Sequence, residues 1–454
     1  MSADSSTHPL HIGFISTRFA GTDGVSLETA KWATVLEQMG HTCFYFSGLC
    51  DRAAERSLTV PEAFYHHPTI EEINRVAYAG SWNTAAQARA ARPELSSLYK
   101  DYFSIYVRPP QLSRQIDDWK HAFKEHLYAF AKDFSLNLLV IENALTIPLN
   151  LPLGLAITEF IAETGYPTIA HHHDFYWERR RFMVNCVRDY ILAAFPPNLP
   201  SIRHVVINSV AAHQLASRTG LSAMVIPNVM DYDNPPGPLD SYALCAREDL
   251  GVEKDERFLL QPTRIIQRKG IEHAIELTRR LEIPARLIIT HASGDEGSDY
   301  ERRVRQFSKL LDVKVGFESE IVQESRGQTP DGRPVYSLAD IYPQCDMVTY
   351  PSTFEGFGNA FLEAVYFRRP IIVNNYSIYE VDIKPKGFSV IEFLGFVNDS
   401  TMESVHYWLT HPEETMERTE RNYALAQRHF SYSVLRRHLE LLLSDCVGEH
   451  ELGM

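Results

Sequence analysis

Several features that would narrow the function are scarce or missing. The six cysteines (Cys43, Cys50, Cys186, Cys245, Cys345 and Cys446) make no CxxC pair and match no zinc or disulfide spacing. A reducing, cytoplasmic location fits that scatter. The opening MSADSSTHPL lacks the charged-then-apolar order of a secretory signal, so the sequons at Asn375 and Asn398 carry no weight. No apolar run is long enough to span a bilayer. No amphipathic basic helix marks a membrane-docking face. Positive charge is in deficit, with 44 basic against 58 acidic side chains and a net of -14. That balance disfavours nucleic acid and anionic lipid as partners. No internal repeat or low-complexity tract is present. The loop Arg18–Gly24 (RFAGTDG) lacks the G-x-G-x-x-G spacing, so no dinucleotide fingerprint is supported.

What is present is a soluble globular composition, 44% hydrophobic and 22% charged over 454 residues. That length predicts two domains. The first segment reads strand (11–16), glycine-containing loop, helix, strand (41–46). The helix carries Trp32, Val35, Leu36 and Met39 on one face, and Gly40 stops it. Such a βαβ opening predicts a parallel sheet. Residues 51–135, rich in charge and aromatics at helical spacing, read as a helical insertion without strands. The βα rhythm resumes with strands expected at 136–141, 168–171, 204–207 and 224–226. The segment DYDNPPGPLD, 231–240, has three prolines and a glycine in ten residues and marks a linker. Asp231-Tyr232-Asp233 spells D-x-D there, a decoy in a linker. A second series follows with strands expected at 258–261, 286–290, 347–350 and 370–373. GQTPDGRP, 327–334, reads as a surface loop. The chain is thus α/β, with two Rossmann-like doubly wound halves expected to face each other across a cleft. The expected domains are 1–232, completed by a terminal helix at about 430–454, and 240–429. Ligands of such sheets bind at the carboxyl ends of the strands.

Three blocks there carry chemistry. In PSTFEGFGNAFLEAVYFRRP, 351–370, Gly356, Phe357, Gly358 and Asn359 open a helix whose free N–H groups suit an anion. Glu355 precedes it and Glu363 follows within it; carboxylates suit hydroxyl-rich ligands. In QPTRIIQRKG, 261–270, Arg264 and Lys269 place two cations where a diphosphate would lie. Arg268 is left outside the site. In PTIAHHHDF, 167–175, a strand delivers His171, His172, His173 and Asp174. A metal cluster is one reading, weakened because alternate strand residues face opposite ways and no fourth ligand is evident. Packing is expected for His171. Behind them Arg179, Arg180 and Arg181 form a basic run, solvent-exposed by default, that can bind an anionic acceptor.

The pattern E-G-F-G-x4-E resembles the E-x7-E signature of glycosyltransferase family 4, whose members are two-domain, retaining enzymes of the GT-B fold. The resemblance covers most of the chain outside 51–135. Thr263-Arg264-x4-Lys269-Gly270 is similar to the family's G-R-x4-K-G, with Thr in place of Gly. Ile226-Pro227-Asn228-Val229 is similar to its P-N-G-[VI]-D, with Val in place of Gly. The resemblance implies transfer of a hexose from a UDP-glucose or GDP-mannose type donor. Glu355 would contact the sugar, Glu363 the ribose, and Arg264 and Lys269 the diphosphate. His173 would line the reaction centre, His172 being the competing register, and Gly24 would lie near donor phosphate. Arg18, His172, Asp174, Arg179 and Arg180 are the acceptor-side candidates. No cofactor or essential metal is expected. The expected partners are the donor and a small soluble acceptor, anionic if the arginines act, of the glycerate or sugar-phosphate type. A homo-oligomer is allowed. The alternatives are a nucleotide-sugar 2-epimerase of the same architecture, a glycan or cell-envelope glycosyltransferase, and a nucleotide-sugar binding protein without turnover.

Overall fold

The computed structural model describes residues 9–21, 23–78, 106–293 and 298–451, with side chains through residue 447. It divides into two compact units, one of Met1–Ile207, Ala211–Ile226 and Leu435–Met454, the other of Asn208–Val210 and Pro227–Val434.

The first unit is built on a parallel sheet. Its strands are β1 (His11–Ile15), β2 (Thr42–Ser47), β3 (Ser57–Thr59), β4 (Leu138–Glu142), β5 (Thr168–His172), β6 (Ile202–Val206) and β7 (Met224–Val225). They lie in the order β3-β2-β1-β4-β5-β6-β7. β4 and β5 are buried at every residue, as sheets covered by helices on both faces require. Helix α1 (Gly24–Gln38) follows β1 and buries Trp32, Val35 and Leu36. Gly40, at φ 92°, makes the left-handed turn into β2. The helix Pro110–Asp133 buries Leu112, Ile116, Phe123, Leu127 and Phe130 at helical spacing. The expectation of a strand-free insertion is corrected by β3, which adds an edge strand parallel to β2. Three residues are too few to show an alternating pattern. Residues 79–105 of that insertion lie outside the described residues.

The second unit repeats the plan. Its strands are β8 (Arg257–Gln261), β9 (Ala285–Ile289), β10 (Val315–Phe317), β11 (Val322–Gln323), β12 (Gly327–Gln328), β13 (Pro334–Ser337), β14 (Met347–Tyr350), β15 (Ile371–Asn374) and β16 (Ile391–Phe393). The parallel sheet runs β10-β9-β8-β14-β15-β16, and β11, β13 and β12 form a small separate sheet. The expected surface loop at 327–334 is instead a hairpin, closed by Thr329 N–H on the Arg333 carbonyl at 2.9 Å and leading antiparallel from β12 into β13. Turn residues fill its tip, which is why the sequence reads as loop.

Both sheets share one topology. Strand order reverses between β1 and β4 in the first unit and between β8 and β14 in the second. At such a switch point the loops leave in opposite directions and open a crevice.

Candidate active site

In the second unit two loops leave the switch point together. The loop after β8 ends in a 3-10 turn, Gln267–Lys269, and Gly270 at φ 59°. A side chain at Gly270 would meet the Pro351 carbonyl at 2.5 Å, so only glycine lets the loop after β14 lie alongside. Thr353 N–H donates to the Arg268 carbonyl at 2.8 Å and joins the two.

This juxtaposition brings Glu355 to Lys269. The Lys269 ammonium donates to Glu355 Oε1, and Arg268 donates to Oε2 at 3.1 Å. Glu355 and Lys269 are both buried. Burial by itself would raise the Glu355 carboxyl, but Lys269 and Arg268 hold it below the ordinary value. Arg268, left out on the sequence reading, is thus the second cation on Glu355. Arg264 sits on the same loop but is exposed. Its charge, with that of Lys269, reaches His291 beyond β9. Burial first, then those two cations, push that imidazole down to about 4, so it is neutral at physiological pH. His291 had no motif to reveal it.

The helix Asn359–Tyr366 begins directly after Gly358. Asn359 Oδ1 accepts from Asn228 Nδ2 at 2.8 Å, which anchors the helix start to the Pro-Asn stretch. The Phe357 carbonyl accepts from the Tyr376 hydroxyl at 2.8 Å. Gly356 is half-buried. Glu363, also half-buried, accepts from the Tyr342 hydroxyl at 2.7 Å. Glu355 is held by the two cations and also meets the Tyr350 hydroxyl, whereas Glu363 accepts from Tyr342.

In the first unit the residues gather at the ends of β4 and β5. Glu142, fully buried, sits opposite His171 in the register. His173 Nε2 is 2.9 Å from Glu142 Oε2, and His171 Nδ1 is 3.1 Å from the same oxygen. Burial would raise the Glu142 carboxyl, yet the two imidazoles bring it down to about 2. Among the described residues these three are the one group whose donor atoms lie close enough to consider for a cation, all within 4.8 Å. One carboxylate serves both rings at hydrogen-bond length, and we read the group as a hydrogen-bonded triad. Glu142 was missed because it ends an apolar strand about thirty residues before the histidines.

The histidine register is resolved by burial. His172 is 1% exposed; it pairs with His204 at 2.9 Å and packs on Phe175. It therefore fills the interior and cannot contact an acceptor, which corrects that expectation: alternation along β5 turns it to the face opposite His171. His171 is packed, as expected, under Trp32 at 4.2 Å between ring centroids. Asp174 accepts from Asn143 Nδ2 at 2.8 Å and from Arg179 Nε at 2.6 Å. Arg179 is thus already paired, while Arg180 is exposed on a single helical turn, Arg180–Met183. Gly24 is the first residue of α1. Asp23 caps that helix through Val25 and Ser26 N–H and also pairs with Arg18 at 3.2 Å. The helix start at Gly24 is thus already capped by a carboxylate.

Comparison with known proteins places this geometry in context. A mannosylglucosylglycerate synthase of Petrotoga mobilis is 29% identical over 404 residues, 84% of this chain and 86% of the relative. One of Thermotoga maritima is 28% identical over 453 residues, 93% of this chain and 97% of the relative. A solved glycosyltransferase from Rickettsia africae matches with a TM-score of 0.64 at 13% identity, covering 97% of this chain and 99% of that one. No protein-family model matches. Among the described residues no helix is long and apolar enough to cross a membrane. Two Rossmann-like domains of the GT-B type, with glycosyltransferases as relatives in sequence and as neighbours in structure, identify this chain as a hexosyltransferase.

Proposed function

We propose that the chain is a retaining glycosyltransferase that passes a hexose from a nucleotide diphosphate sugar to a small anionic acceptor of the glycerate type. The observation that carries this reading is the buried Glu355–Lys269 pair at the β8/β14 switch point, directly before a helix start. The relatives, synthases of mannosylglucosylglycerate, support mannosyl transfer onto a glucosylglycerate-type acceptor, and we take the donor to be of the GDP-mannose type.

In the proposed reaction the bond between the anomeric carbon and the β-phosphate oxygen breaks. The acceptor oxygen bonds the same face of that carbon, and the acceptor's proton passes to the leaving phosphate. Arg264, Lys269 and the free N–H groups at 356–359 would stabilise the charge growing on that phosphate, with no metal required. Glu355 would accept hydrogen bonds from sugar hydroxyls and keep Lys269 aimed. Arg18 and Arg180 are the cations of the first unit that would meet the carboxylate of the acceptor.

The test is a panel of GDP-mannose, UDP-glucose and UDP-N-acetylglucosamine scored by thermal shift. Product mass is then read with glycerate, 3-phosphoglycerate and glucosylglycerate as acceptors. A ligand at a hundredfold excess over its Kd stabilises the fold by about 2.7 kcal/mol, enough to move Tm visibly. We expect GDP-mannose to raise Tm and a hexose to be added to glucosylglycerate with its anomeric configuration retained. A panel in which no nucleotide sugar stabilises the fold, or an inverted product, overturns the reading.

A further inference from the structure

His173 is held from two sides. Its backbone N–H donates to Asn143 Oδ1 at 2.8 Å, and Asn143 itself is fixed in the left-handed region at φ 60°. Its ring turns Nε2 inward to Glu142 at 2.9 Å. The opposite nitrogen, Nδ1, has no hydrogen bond among the described residues, and the side chain keeps 9% of its surface exposed while Glu142 on its other side has none.

The protons can be assigned by counting. A fully buried carboxylate must be balanced by a cation or neutralised. His171 cannot be that cation. Its Nδ1 donates to Glu142, its Nε2 is buried without a partner, and Trp32 covers the ring, so a second proton would point at nothing. Burial holds its pKa down accordingly. The countercharge falls to His173, protonated on both nitrogens. The other charges around it are Glu28 on α1, paired with Lys31 at 3.0 Å, and Asp174, paired with Arg179. Burial would lower the His173 pKa, but Glu142, then Glu28 and Asp174, raise it above the ordinary value.

We propose that Glu142 is a positioning residue that locks His173 as an imidazolium presenting Nδ1–H outward, so that His173 donates a hydrogen bond to the bound substrate and does not act as a base. The proposal rests on the reading above that His173 meets substrate. It assigns a role to a carboxylate that no motif contains, and it removes the His173 imidazole from general-base work.

The test uses full-length protein labelled with 15N at histidine, its His173 signals assigned by their loss in His173→Asn. Near neutral pH the wild-type ring is expected to show the imidazolium pattern, with both nitrogens protonated. In Glu142→Gln the ring is expected to titrate at lower pH. The kcat of that variant falls about ten- to a hundredfold, as when an imidazole loses its orienting partner, while KM for the donor stays within about threefold. The donor proton is lost as pH rises through the His173 pKa, so wild-type activity declines on the alkaline side. That decline begins at lower pH in Glu142→Gln. If the variant does not fold, the wild-type spectrum decides. An unprotonated Nδ1 near neutral pH, or ring signals that move when a chelator is added, overturns the proposal. So does a folded Glu142→Gln with unchanged kcat and pH profile. An imidazolium spectrum in a protein that transfers no hexose would sink the proposed function and leave the Glu142–His173 lock standing.

Discussion

Glu355→Gln lowers kcat by about 10²–10³-fold, the cost of losing one preorganised electrostatic group at a reacting centre. It also destabilises the fold. Glutamine keeps the shape but removes the charge that Lys269 and Arg268 share. Lys269 is 9% exposed, so it becomes an uncompensated buried cation. Breaking one side of a buried pair costs about 3–5 kcal/mol. Arg268 loses less, because its side chain is 37% exposed and water takes over. Lys269→Ala fails in the mirror sense, leaving the buried Glu355 with Arg268 as its cation and the Tyr350 hydroxyl beside it. The double variant Glu355→Gln/Lys269→Met separates the two effects. With no buried charge left it recovers most of the stability, since apolar replacement of a buried pair is near neutral, while transfer stays lost. Turnover is measured alongside Tm for all three. Near-normal turnover in both single variants would remove this pair from the reaction. The pair also sets a pH window. The Glu355 pKa is depressed on folding, so its contribution is present above the unfolded carboxyl value and is lost only as pH falls through the folded one.

The parallel strands were legible because each is a short apolar run bounded by turn residues, and a strand buried on both faces must be one. The strands expected at 168–171 and 347–350 coincide with β5 and β14 to within a residue. What escaped was short or paired by topology. β3, β12 and β16 have two or three residues each, below the length at which a period exists. At the site, adjacency misled. Arg268 and Lys269 are neighbours in sequence, and nothing in it shows that a 3-10 turn would aim both at one carboxylate. Glu142 left one trace that could have been used. A glutamate closing an otherwise apolar strand, LLVIE, is a charge about to be buried, and buried carboxylates need partners. The histidine run two elements later was the place to look. Pairing of β4 with β5 supplies the rest, and that register is not written in either segment alone.

Gly358→Ala is expected to lower Tm strongly and to raise KM for the nucleotide sugar. Gly358 has φ 131°, a region closed to side chains. That backbone strain costs about 1–3 kcal/mol. The added methyl would also stand 2.3 Å from the Tyr376 hydroxyl. Tyr376 is 2% exposed, and its hydroxyl donates to the Phe357 carbonyl, so it cannot swing away without breaking a buried bond. Overpacking of this kind costs about 1–3 kcal/mol more. The backbone yields where the helix Asn359–Tyr366 begins, and its free N–H groups turn from the position proposed for the donor phosphate. Two controls isolate the terms. Gly387→Ala has φ 89° and nothing within 4 Å, so it measures strain alone. Gly358→Ala/Tyr376→Phe removes the clashing oxygen and recovers part of the loss, though it leaves the Phe357 carbonyl unpaired at about 1–3 kcal/mol. Calorimetric Tm and donor KM are read for each. If Gly358→Ala costs no more than Gly387→Ala, with KM unchanged, the tight approach at Gly358 has no part in shaping the phosphate-binding helix start.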